Sequence, residues 1–167
     1  NILSYNIIIV MMKTQYNEDR VLDGILQVVN AYKNDGKRTF INFVNYSTYD
    51  PRANPLLSMI VNRSFVSAIS TEGVQLLKRP NISQIKSVIQ NHIIYKHVDV
   101  MHISHGFNDF WFLKTFFEVS DIKPSVIIIR YNRYIPNDKS VSVPFAKNPI
   151  NTKNYNTCSL IAISKIL

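Results

Sequence analysis

Two stretches decide the fold: Asp99-Val-Met-His-Ile-Ser-His-Gly-Phe-Asn-Asp-Phe-Trp-Phe-Leu-Lys114 and Lys123-Pro-Ser-Val-Ile-Ile-Ile-Arg-Tyr-Asn132. Residues 125–131 form an unbroken β-branched run between Pro124 and Asn132, as in a central strand covered on both faces. Val98 to Ser104 reads as a second strand. Between them, Asn108 to Val119 carries aromatic and aliphatic residues at helical spacing, which predicts a helix. A strand, a helix and a strand in that order predict parallel neighbours joined by a crossover.

Upstream, the rhythm repeats. Ser83 to His92 reads as a helix and Ser64 to Ser70 as a strand. Thr39 to Val44 is rich in aromatic and β-branched residues, as a buried strand is. It follows Asn34-Asp35-Gly36-Lys37, which is turn chemistry. Glu18 to Lys33 places Val21, Leu22, Ile25, Leu26, Val29 and Tyr32 on one helical stripe. The alternation predicts an α/β, Rossmann-like domain: a mostly parallel sheet with helices on both faces and a ligand site beyond the carboxyl ends of the strands. That site is expected near residues 45–50, 70–73 and 104–109. Residues 132–157, with Pro136, Pro144 and Pro149, read as a long irregular connection before the apolar segment Ser159 to Leu167.

With 167 residues, of which 46% are hydrophobic and 18% charged, the expectation is one domain over residues 1–167. Residues 1–13 are an edge strand or arm of it. No stretch approaches the roughly 20 apolar residues of a membrane span. The chain opens on Asn1 rather than Met, which fits a processed or trimmed product, and no targeting segment is visible. Cys158 is the single cysteine and favours an intracellular, reducing compartment, cytoplasmic or organellar. The net charge of +8 suits an RNA or other anionic partner, although the 19 basic residues are dispersed and equally fit a solvated surface.

In order and spacing, the two quoted stretches resemble the FkbM-like branch of class I S-adenosylmethionine-dependent methyltransferases. There the pattern is D-L-L-S-I-D-I-D-G-N-D-Y-W, then K-P-R-V-V-V-I-E-Y-N. Gln15-Tyr16-Asn17-Glu18-Asp19 is similar to the family's Q-Y-G-Q-D, and Ser140-Val-Ser-Val-Pro-Phe145 to its S-V-x-V-P-Y. The resemblance covers residues 14–167 and implies a class I methyltransferase fold. In the family, the domain continues past this point into a closing strand pair. That implies a sheet edge covered by a partner, by further sequence or, as first choice, by Ile7-Ile8-Ile9-Val10 folded back as a strand.

The departures bear on function. The family's E-x-G-x-x-x-G cofactor loop reads Asn42-Phe-Val44-Asn-Tyr-Ser-Thr48 here, and no glycine lies between residues 37 and 72. Glycine there lets backbone amides approach the cofactor, whereas a β-branched Val44 disfavours positive φ and crowds a ligand. Both carboxylates of D-I-D-G are replaced, by Ser104 and Gly106, and the Glu of E-Y-N is replaced by Arg130. The remnant cofactor-pocket positions are Asn42, Tyr46, Glu72 and His102. Glu72 follows the second strand, where an acid contacts ribose hydroxyls, but it is equally a turn residue before Gly73. The resemblance therefore implies a catalytically silent domain acting as a binding or assembly subunit, with a protein partner or a larger protein or ribonucleoprotein complex and no cofactor. An active enzyme with a divergent S-adenosylmethionine pocket and a basic RNA-contacting module are the alternatives.

Other constellations read as structure. His97, Asp99, His102 and His105 fall within nine residues, but strand alternation keeps them from converging on a metal. His102 and His105 read instead as polar residues filling vacated cofactor space, together with Tyr46 and Phe107. Cys158 has no recognisable basic partner and reads as a buried thiol. Phe107, Phe110, Trp111, Phe112, Phe116 and Phe117 read as core at helical spacing rather than as base-stacking platforms. Leu160, Ile163 and Leu167 are expected to point inward from a final helix.

Overall fold

The computed structural model describes residues 7–11, 24–25, 27, 38–44, 65–69, 81–104, 108–145 and 158–167. Five strands form one sheet: β1 (Ile7–Met11), β2 (Arg38–Val44), β3 (Phe65–Ser67), β4 (Val100–Ser104) and β5 (Val126–Arg130). The order across the sheet is β1-β5-β4-β2-β3, and all four pairings are parallel. Helices α1 (Ile82–His92) and α2 (Asp109–Val119) connect β3 to β4 and β4 to β5, and a short α3 (Leu160–Ser164) follows. Of the helix expected at 18–33, the described residues Gly24, Ile25 and Gln27 are helical.

The strand order carries a reversal. From β1 through β2 to β3 the chain steps one way across the sheet, and from β3 through β4 to β5 it steps back. Right-handed crossovers from β3 to β4 and from β4 to β5 therefore put α1 and α2 on the same face of the sheet. The reversal falls between β2 and β4, where an open parallel sheet forms its crevice.

Alternation along β2, β4 and β5 sorts the side chains between the faces. The register aligns Ile41 with Met101 and Ile127, and Phe43 with Ile103 and Ile129. These six belong to one buried cluster with Ile85 and Val88 of α1 and Phe112 and Phe116 of α2. Phe43 stacks obliquely on Phe112 with centroids 5.2 Å apart and meets Phe116 edge-on at 6.5 Å. Each such buried side chain contributes roughly 1.5–3 kcal/mol by leaving water. The aromatic series thus divides: Phe112 and Phe116 are core, Phe110 and Phe117 pack against it, and Phe107 lies outside the described residues.

Polar contacts lock the amino ends of the strands. The buried Asp99 accepts the Thr39 backbone N–H at 2.9 Å and the Thr39 hydroxyl at 3.4 Å, while His97 Nε2 sits 2.9 Å from its other oxygen. Helix α1 starts at a capping box, in which Asn81 accepts from the Gln84 N–H and Gln84 accepts from the Asn81 N–H.

The bounds of some elements need correction. Strand β4 runs from Val100 rather than Val98, although hydrogen bonds already join Asp99 to Thr39 and Val98 to Ser125, and β3 covers Phe65–Ser67 of the expected 64–70 strand. Of the residues weighed as metal ligands, His97 and Asp99 meet where β4 is entered, and among the described residues no third ligand joins them. The last helix ends at Ser164, so Ala162 and Ile163 are buried while Leu167, expected inward, is 42% exposed. Ser159 caps that helix by accepting from the Ala162 N–H. The helix is too short for Leu167 to continue its inward stripe.

Ile7–Met11 lies parallel beside β5 at the sheet edge, and no strand follows β5 among the described residues. No helix among the described residues is long and apolar enough to cross a membrane.

Candidate functional site

Because every strand is parallel, Met11, Val44, Ser67, Ser104 and Arg130 end at one edge of the sheet. At the reversal point the register puts Asn42 of β2 directly opposite His102 of β4, each two residues inside its strand end. Both are buried, on the face opposite the aliphatic cluster. The His102 Nδ1–H donates to Asn42 Oδ1 at 2.9 Å, which fixes the tautomer and leaves Nε2 as an acceptor. Burial pushes the His102 pKa down to about 3, and the nearby Arg130 guanidinium pushes the same way. The imidazole is therefore neutral at physiological pH. Of the four positions read from sequence, the fold brings Asn42 and His102 together; Tyr46 and Glu72 lie outside the described residues.

Charge at this edge comes from Arg130, the last residue of β5. Its Nε is 3.5 Å from a carboxylate oxygen of Asp109, in an ion pair rather than a directed hydrogen bond. Asp109 is fully buried in the first turn of α2, where the helix dipole favours an anion. The sequence analysis assigns no role to Asp109 and missed its pairing with Arg130. The signal was available: a charge reversal at a strand end calls for a countercharge nearby.

The remaining residues close off the edge. Cys158 is buried, and burial with the nearby Asp109 carboxylate pushes its thiol up to about 12, so it is no nucleophile at neutral pH. Its carbonyl accepts from the Asn132 N–H at 2.9 Å. Val141 and Ser159 exchange two hydrogen bonds, with the Val141 N–H donating to Ser159 Oγ at 2.9 Å and the Ser159 N–H donating to the Val141 carbonyl at 2.8 Å. The Trp111 indole N–H donates to the Val143 carbonyl at 2.8 Å. Together these bonds tie the 141–143 segment to α2 and to the start of α3. Among the described residues, no three His, Cys, Asp or Glu side chains group as metal ligands.

Chemically, this edge offers an amide, a neutral imidazole and a guanidinium already paired with a buried carboxylate. Neither the buried imidazole nor the paired guanidinium titrates near neutral pH, so these described groups present polarity rather than a poised base or acid. No protein-family model, curated protein or solved structure matches the chain.

Proposed function

We propose that this chain is a catalytically silent domain of methyltransferase-like design that serves as a binding or assembly subunit. The observation that carries the reading is the buried Asn42–His102 pair at the reversal point, where the resemblance leads one to expect acidic and glycine-rich cofactor chemistry. Neither residue supplies a carboxylate for ribose hydroxyls. The Arg130 cation, close enough to bias His102, has the same sign as the sulfonium and ammonium groups of S-adenosylmethionine. Among the described residues, then, this pair and its neighbouring cation favour a site that does not take that cofactor. What persists is the hydrophobic pattern that sets the strand order and the core, which supports a role resting on shape.

Thermal unfolding with the cofactor tests this. At a ligand concentration 100 times its dissociation constant, binding to the folded state alone would add about 2.7 kcal/mol, a shift of roughly 5–10 °C in Tm for a chain of this size. The expected result is an unchanged Tm at millimolar S-adenosylmethionine; a shift of that size would overturn the reading.

A further inference from the structure

Immediately beyond β5, residues 132–135 form a braced turn. The Tyr134 N–H donates to Asn132 Oδ1 at 3.0 Å and the Ile135 N–H to the Asn132 carbonyl at 3.2 Å. Asn132 is itself tied to the Cys158 carbonyl, and Asn132 and Ile135 are both buried. The two residues between these anchors point the other way. Tyr134 is 77% exposed, more than any other large hydrophobic residue among those described. The Arg133 guanidinium lies 4.9 Å from its ring centroid and donates to its hydroxyl at 2.9 Å. Arg133 is exposed and meets no carboxylate among the described residues.

We propose that this turn is a contact for single-stranded nucleic acid, with Tyr134 supplying the stacking surface and Arg133 the positive charge. A rigid turn that holds an aromatic ring in water has already met the ordering cost of binding. The guanidinium covers one face of the ring and the exposure leaves the other open, so a base stacks there as the third layer of a base–tyrosine–arginine sandwich. Phosphates then find Arg133 and a chain whose net charge is +8. An acidic peptide would use the charge but not the ring. A lipid surface would need apolar neighbours, and the exposed run 136–140 is Pro, Asn, Asp, Lys and Ser. The proposal goes beyond the silent-domain reading and does not depend on it.

The test is fluorescence anisotropy of labelled oligouridylate and oligothymidylate, each of about 12 nucleotides, against the full chain at low and moderate salt. Tyr134→Ala is expected to weaken binding about tenfold, while Tyr134→Phe, which keeps the ring, stays within about twofold of the parent. Arg133→Gln should lower the salt slope by about 0.7. Lys86→Gln on exposed α1 should lower affinity less than Tyr134→Ala does. A preference for one oligomer would assign the contact to RNA or to DNA. Absence of binding to both at low salt, or wild-type affinity in Tyr134→Ala, would overturn the proposal. Displacement by polyglutamate as efficient as by unlabelled oligonucleotide would also overturn it, in favour of an acidic protein partner.

Discussion

His102 is buried against Asn42 and remains neutral down to about pH 3. Its ordinary pKa is 6.5, so between those values the unfolded chain takes up a proton that the folded chain refuses. A depressed histidine therefore costs stability as pH falls, by about 2 kcal/mol between neutrality and about pH 5. Urea midpoints of the parent and of His102→Gln, which cannot titrate, should diverge by that amount over this interval. Parallel pH profiles would show that the imidazole is not buried as described. Cys158 gives the opposite signature, because burial and Asp109 raise its pKa and so disfavour the thiolate. At about pH 8 its alkylation by iodoacetamide should be at least about a hundredfold slower in the native chain than in urea. Equal rates in the two states would place the thiol at the surface.

At the scale of elements, Asp99 joins β4 to β2 by accepting the backbone N–H and the hydroxyl of Thr39. Asp99→Ala leaves that buried N–H without its acceptor and should cost about 2–3 kcal/mol. His97→Ala, whose ring is half exposed, should cost much less. A urea titration of both variants checks this, and equal losses would remove Asp99 from its clamping role. The strands around these residues were legible because β-branched runs such as Val126 to Ile129 have few other options. The pairing of Asn42 with His102 was not legible, since the two are 60 residues apart and meet only through a register that parallel crossovers set. For Arg130 the charge itself was a signal, but which carboxylate answers it depends on how α2 packs against β5. The early end of α3 escaped because periodicity alone does not say where a terminal turn unwinds. The expected start of α1 at Ser83 falls one residue late, although Asn81 and Gln84 carry the spacing of a capping box that marks it.

Across the whole molecule, five parallel strands reverse direction once, and the reversal places a neutral amide–imidazole pair where an open α/β sheet would present a ligand crevice. The charge near that pair belongs to Arg130, balanced by a carboxylate buried at the start of α2. The surface proposed at residues 132–135 follows directly on β5, so on the proposed reading a domain silent in chemistry would still hold a partner. On the proposed reading, the position between β2 and β4 does not take S-adenosylmethionine. Isothermal titration calorimetry of the full chain with S-adenosylmethionine tests it most directly. The account predicts no saturable heat up to millimolar ligand. A saturable isotherm with a micromolar dissociation constant, about 8 kcal/mol of binding free energy, would contradict it.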